Sequence, residues 1–214
     1  MTLFNNFTVD VPDNSIYCLA GPNGAGKTTL LKLISNRLIP NSGEISIGSD
    51  KTANQLSDLY FFQDTPQFYR DMTARTNLEI LCDYTNRDYS KIDEVLMRVK
   101  LDEPKKKVKE YSLGMKKRLS LAVVLLFDSK TILMDEPFNS LDPGGIKFIR
   151  EFVEEEHNTK GKTFIISSHL LREVGSFCTH YGIINKGKMI VSGENTGNID
   201  LIEEMYFSNI EGNN

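Results

Sequence analysis

Gly21-Pro22-Asn23-Gly24-Ala25-Gly26-Lys27-Thr28 carries the residue types and spacing of a loop that wraps phosphate. Glycine takes positive φ without steric penalty, so such a loop can turn its backbone N–H groups inward as a nest for anionic oxygens. Lys27 suits the β- and γ-phosphates, and the Thr28 hydroxyl suits Mg²⁺. A second chemical feature lies far along the chain, where the apolar run Ile132-Leu133-Met134 ends in Asp135-Glu136. A Mg²⁺–nucleotide site needs one carboxylate to bind or order the metal's waters and another group to orient or deprotonate the attacking water. Asp135 fits the first role and Glu136 the second. A guanine-reading Asn-Lys-x-Asp motif is not matched, since the nearest candidate, Asn185-Lys186-Gly187-Lys188, lacks the acid.

These residues need elements to bring them together. Residues 15–20 read as a buried strand before the loop, and residues 28–38 as a helix with Leu30, Leu31, Ile34 and Leu38 on one face. That strand–loop–helix order adds the positive end of a helix dipole to the phosphate site. Further strands are predicted at 44–48, 58–62, 131–134 and 162–167, and a hairpin at 183–191 turning at Lys186-Gly187. Between about 64 and 111 strand signals fade. Leu78, Ile80, Leu81 and Tyr84 suit one helix, and Ile92, Val95, Leu96 and Val99 another. Ser112 is a good N-cap for an apolar helix to about residue 126, and another helix is predicted over 143–157. The polar tail from Asn209 is expected to fray.

Composition narrows the field. The 214 residues suffice for one large α/β domain, and the net charge, 25 − 29 = −4, argues against a binder of nucleic acid driven by bulk charge. Cys18, Cys82 and Cys178 are scattered, which fits a reducing cytosol, with Cys18 a small buried hydrophobe. His157, His169 and His180 lack metal-ligand spacing, no apolar run is long enough to span a membrane, and the N-terminus does not read as a signal peptide. Lys105, Lys106, Lys107, Lys109, Lys116, Lys117 and Arg118 read as a solvated face, or one drawn to acidic lipid headgroups or a partner loop.

The order of motifs resembles the ATP-binding-cassette (ABC) family over about residues 3–193. After the phosphate loop, Phe61-Phe62-Gln63 is similar to the family's Q-loop. Tyr111-Ser112-Leu113-Gly114-Met115-Lys116-Lys117-Arg118 resembles its signature. Asp135-Glu136 is followed by Ser140-Leu141-Asp142, which resembles the D-loop, and Ser167-Ser168-His169 resembles the switch histidine. The signature departs from Leu-Ser-Gly-Gly-Gln at Leu113 and Met115, a form familiar in the drug- and peptide-export branch.

The resemblance implies a P-loop NTPase α/β fold: a mainly parallel sheet, a small antiparallel β part and an inserted helical subdomain at about 64–125, all within one nucleotide-binding domain over 1–214. It implies ATP and Mg²⁺ as ligands. Gly21 to Thr28, with Thr29, would contact nucleotide, as would Ser112, Gly114 and Asp142 from across a dimer. Thr28, Gln63 and Asp135 would serve the metal, and Lys27, Gln63, Glu136 and His169 catalysis. The implied partners are a second ABC ATPase chain, in a homo- or heterodimer, and a transmembrane permease subunit whose coupling helix would pass near Phe68 and Tyr69. The expected location is cytoplasmic, on the inner face of the cell membrane. The expected activity is ATP hydrolysis coupled to transport, outward rather than inward. A soluble cassette acting on ribosomes or DNA is the alternative, but neither a second cassette nor a coiled-coil insertion is present. A regulatory module without hydrolysis is opposed by Lys27, Asp135, Glu136 and His169. Related cassettes begin with an aromatic residue that stacks on adenine. Residues 3–11 resemble the segment after it, leaving Phe4 and Phe7 as substitutes, both better read as core.

Overall fold

The computed structural model describes residues 3–47, 58–64, 67–101, 103 and 105–211. In chain order the elements are β1 (Ile16–Ala20), α1 (Lys27–Ile34), β2 (Leu59–Phe62), α2 (Ala74–Thr85), α3 (Ile92–Arg98), α4 (Leu113–Phe127), β3 (Thr131–Asp135), α5 (Pro143–Lys160), β4 (Thr163–Ser168), α6 (Leu171–Gly175), β5 (His180–Asn185), β6 (Lys188–Glu194) and α7 (Ile199–Glu211).

One sheet holds all six strands, in the order β2-β3-β4-β1-β5-β6. The first five run parallel, and β6 returns antiparallel to β5. The turn between them uses Lys186 and Gly187, both at positive φ (47° and 72°), as a tight hairpin of matching twist requires. Parallel strands end at a common edge. The carboxyl ends of β1, β2, β3 and β4 therefore deliver the phosphate loop, Gln63, Asp135-Glu136 and His169 to the same side of the sheet.

Side-chain alternation divides the core into two layers. Cys18, Ala20, Ile132, Met134, Phe164 and Ile166 face a large cluster with α2, α3, α4 and α5, while Tyr17, Leu19, Leu133, Ile165 and Ile184 face a smaller one with Leu30 and Leu31 of α1. α4 is buried nearly all round from Leu119 to Leu126, which makes it the pillar between the helices and the sheet.

The structure departs from the sequence expectations at several points. Residues 44–47 form no strand, and Gly48 lies outside the described residues. Ile45 stays exposed, at 40%. α1 stops at Ile34 because Asn36 takes a left-handed conformation (φ 55°) and the Arg37 and Leu38 amides turn back to the Lys32 carbonyl, leaving Leu38 42% exposed. Tyr84 lies on α2 but is 89% exposed. α6 and α7 were not foreseen; of the tail expected to fray from Asn209, residues 209–211 are helical and 212–214 lie outside the described residues. Within the basic cluster, Lys106 and Lys109 pair with Glu103 and Asp71, as a solvated face would, but Lys117 is completely buried. Its buried position follows from the helical period it shares with Leu121 and Val124.

Candidate functional site

The phosphate loop leaves β1 at Ala20 and enters α1 at Lys27. Gly26 has φ 113°, a conformation that strains any residue with a Cβ, and a Cβ there would also press on the Phe4 ring at 2.9 Å. At Gly21 a Cβ would collide with the Ile184 carbonyl. Gly24, also at positive φ (80°), lies in open space, with Pro22 and Asn23 before it and Ala25 buried behind. Phe4 and Phe7, with ring centroids 5.0 Å apart, pack on the core beneath the loop, in line with their reading as core residues.

Lys27 is buried. Its ammonium donates to the Gly21 and Pro22 carbonyls at 2.7 and 3.2 Å and pairs with Glu136 Oε1 at 3.3 Å. The Thr28 hydroxyl donates to Asp135 Oδ1 at 2.9 Å, and Thr29 follows it in the first turn of α1. Ser167 Oγ donates to Asp135 Oδ1 at 2.8 Å and itself accepts the Glu136 amide at 3.0 Å. Ser167 thereby holds the two acids in register. The register Asp135↔Ser167 between parallel β3 and β4 makes this contact, which no local motif in the sequence marks. His169 lies just beyond β4, with Nδ1 2.9 Å from Glu136 Oε2. Glu136 has φ 45°, so the chain turns sharply at the end of β3 and aims its carboxylate back at Lys27 and His169. Gln63, half-buried, follows Phe62, which pairs with Met134 in β3, and so stands at the level of Asp135.

Lys27, Thr28, Asp135, Glu136, Ser167 and His169 thus form one polar network at the strand ends, with Gln63 at its side. Thr28 and Asp135 offer adjacent hard oxygens. That donor set fits Mg²⁺, which keeps several waters and takes only one or two protein oxygens beside substrate phosphates. No cluster of three or more His, Cys, Asp or Glu residues suited to a metal occurs among the described residues, so any ion here would depend on phosphate oxygens for the rest of its shell.

Ser112, Gly114 and Asp142 come together elsewhere. They line a separate surface hollow with Met115, Leu141 and Phe148. Ser112 caps α4, accepting the Met115 amide at 3.2 Å, a contact worth about 1 kcal/mol to a helix. Asp142 caps α5 through the Gly145 amide at 2.7 Å. Leu113 in place of glycine is accommodated because α4 starts there and Gly114 is the residue facing Leu141, whose Cδ2 lies 3.6 Å from where its Cβ would be. Phe68 packs against the main core, while Tyr69 is exposed beside it.

A phosphate loop between a central parallel strand and a helix, with an acid pair at the end of the strand next but one, defines a P-loop nucleoside triphosphatase. The family described as ABC transporter matches residues 4–139. The lantibiotic transport ATP-binding protein SrtF of Streptococcus pyogenes is 35% identical over 98% of this chain and 91% of its own length. The bacitracin transport ATP-binding protein BcrA of Bacillus licheniformis is 38% identical over 87% of this chain and 63% of its own. Among solved structures, the ADP conformation of MJ1267, an ATP-binding cassette of an ABC transporter, is 26% identical, with a TM-score of 0.78 over 96% of this chain and 92% of that one. The chain belongs to the ABC transporter family and is an ATP-binding, ATP-hydrolysing subunit of that family, similar to its drug- and peptide-export branch.

Proposed function

We propose that this chain drives a separate transmembrane permease as an exporter, by closing with a second ATPase chain over two ATP molecules. The observation that carries the reading is the division of the site into two surfaces. One holds Lys27, Thr28, Asp135, Glu136 and His169; the other holds Ser112, Gly114 and Asp142. Neither is a complete phosphate site. A second chain whose Ser112 helix N-terminus faces the γ-phosphate would complete each one.

In this reading the nest of loop amides from Gly21 to Thr28, with Thr29, cradles the phosphates, and Lys27 exchanges its carbonyl and Glu136 contacts for phosphate oxygens. Thr28, Asp135 and Gln63 hold Mg²⁺ and its waters. Glu136, released by Lys27, orients and deprotonates the attacking water, and His169 steadies it and the γ-phosphate. Catalysis rests on positioning and charge stabilisation. The chain is one nucleotide-binding domain, in which residues 64–125 form the helical lobe that carries the signature and meets the permease near Phe68 and Tyr69.

Export is supported by the Ser112-Leu113-Gly114-Met115 form of the signature and by similarity to SrtF and BcrA, whose names concern lantibiotic and bacitracin transport. No helix among the described residues is long and apolar enough to cross a membrane, which is consistent with an ATPase that reaches the membrane's inner face through a partner. Affinity purification from detergent-solubilised membranes tests this. Recovery of a polytopic membrane protein in stoichiometric amount is the expected result. Recovery of ribosomes or DNA in its place would contradict it.

A further inference from the structure

Lys117 has no solvent exposure, yet it is a cation in the first turns of α4. Its ammonium reaches three backbone carbonyls, those of Glu136, Pro137 and Asn139, at 3.2, 3.0 and 2.9 Å. An ammonium has three N–H donors, which these carbonyls and Asp64 Oδ1 share among four oxygens. Asp64, directly after Gln63, supplies a countercharge at 3.4 Å. Burying an ammonium costs several kcal/mol unless it is paired and hydrogen-bonded, so this arrangement is held by all four oxygens together. Burial pushes the Lys117 pKa down, and Asp64 acts against that.

The segment so gripped is the turn from Glu136 to Asp142. Glu136 and Ser140 both sit at positive φ (45° and 58°), which non-glycine residues adopt only when their surroundings hold them there. Inside the turn, the Asn139 and Leu141 amides bond to the Glu136 and Phe138 carbonyls at 3.2 and 3.3 Å, rather long for such bonds. Five residues before Lys117 is Ser112, the cap of the same helix.

We propose that Lys117 is a positioning residue for ATP hydrolysis: it clamps the turn carrying Glu136 to the signature helix, so that the helix, the catalytic carboxylate and the Asp142 segment move as one body. The inference rests on the roles proposed above for Glu136 and Ser112. Lys117→Met keeps the stem and removes all three donors, while Lys117→Gln keeps an amide with two.

Turnover, KM for ATP and amide hydrogen exchange are measured on the full chain. Lys117→Met is expected to lower kcat about tenfold or more with KM within about threefold, the pattern of a lost transition-state arrangement. Exchange at Asn139 and Leu141 should quicken by about tenfold or more, with amides of β3 and α5 little changed. Lys117→Gln should lie between Met and wild type in both. Turnover of Lys117→Met within about twofold of wild type, or exchange that quickens equally throughout the molecule, would overturn the proposal. If Lys117→Met does not fold, Lys117→Gln decides: kcat reduced about three- to tenfold at unchanged KM supports the clamp, and unchanged kcat overturns it. Glu136→Gln is assayed in parallel. Near-normal turnover there would remove the reading of the site itself, whereas an inactive Glu136→Gln beside an unaffected Lys117→Met removes only the role of Lys117.

Discussion

Glu136 and Glu156 are both carboxylates surrounded by cations, and they answer to different demands. Glu156, on α5, has no exposure. It pairs with Arg98 at the end of α3 at 2.7 Å, with Lys162 before β4 at 2.8 Å and with Lys160 one helical turn on at 3.3 Å. These are charge contacts more than well-aligned hydrogen bonds. They tie two helices and a strand together on elements that cannot shift without unpacking the core. Glu136 is 16% exposed and pairs with Lys27 and His169, one on the phosphate loop and the other on the loop after β4. In the function proposed above, both of those partners would gain an alternative ligand in a nucleotide phosphate. On that reading the same chemistry serves as a fixed cross-tie in one place and as an exchangeable contact in the other. The difference lies in whether the partners can leave.

Substitution should separate the two. Glu136→Gln keeps the shape but cannot accept a proton, so turnover should fall by about a hundredfold or more while ATP binding and thermal stability stay near wild type. Steady-state ATPase assays with parallel melting curves read this directly. Glu156→Gln should do the reverse. Leaving a buried cation cluster short of a charge costs about 3 kcal/mol, toward the lower end for broken buried pairs because Lys162 keeps Asp128 at 2.9 Å. For a chain of this size that loss is a melting temperature lower by roughly 6–12 °C, with kcat at a temperature where the variant is folded unchanged. Calorimetry together with the same ATPase assay checks both halves.

The pH dependence of stability gives a smaller effect of known sign. Burial alone would raise the Glu156 pKa, but Lys162, Lys160 and Arg98 outweigh it and hold the group below the ordinary glutamate range. A depressed folded-state pKa stabilises the protein above the unfolded value, near 4.3, and that contribution is lost as pH falls through the folded value. Denaturant melts between pH 7 and pH 3 should show an acid loss that is shallower in Glu156→Gln. The smallest expected effect concerns the base. Phe4 and Phe7 are half-buried in core packing and Tyr17 is buried, so none of these aromatics is free to stack on adenine. GTP should then bind within about tenfold of ATP, because a missing stack is worth only about 0.5–1.5 kcal/mol. Competition against a fluorescent ATP analogue measures it, and a preference for ATP of about a hundredfold or more would point to an adenine contact elsewhere.

What the sequence disclosed follows the same division. The end of β3 was legible because parallel strands deliver whatever follows them to one edge, which set Asp135 and Glu136 beside the phosphate loop, while Gln63 and His169 joined them only through the family resemblance. Ser112 was legible as a helix cap from residue type and position, whereas Asp142 read only as a turn residue before Pro143 and caps α5. Glu156 gave no signal, since its partners come from three elements and no local pattern marks such a meeting. Lys117 was hidden by its charge, although its spacing from Leu121 and Val124 puts it on the buried face of α4. Residues 44–47 misled because apolar residues at alternate positions do not by themselves make a strand. α7 was missed although Ile202, Met205 and Tyr206 dock it on the main core, because no clear start signal precedes it; the Arg172–Glu203 pair, at 2.7 Å, lies at its surface.

The most direct test of the two-surface account is the molecular mass of Glu136→Gln in solution with Mg²⁺ and ATP. Trapped ATP should convert the chain to a dimer, and adding Ser112→Arg should return it to a monomer that still binds ATP, because the new side chain would fill the partner's γ-phosphate position. A chain that stays monomeric with ATP, or a dimer indifferent to Ser112→Arg, would contradict the claim that the helix capped by Ser112 completes the site of a second chain.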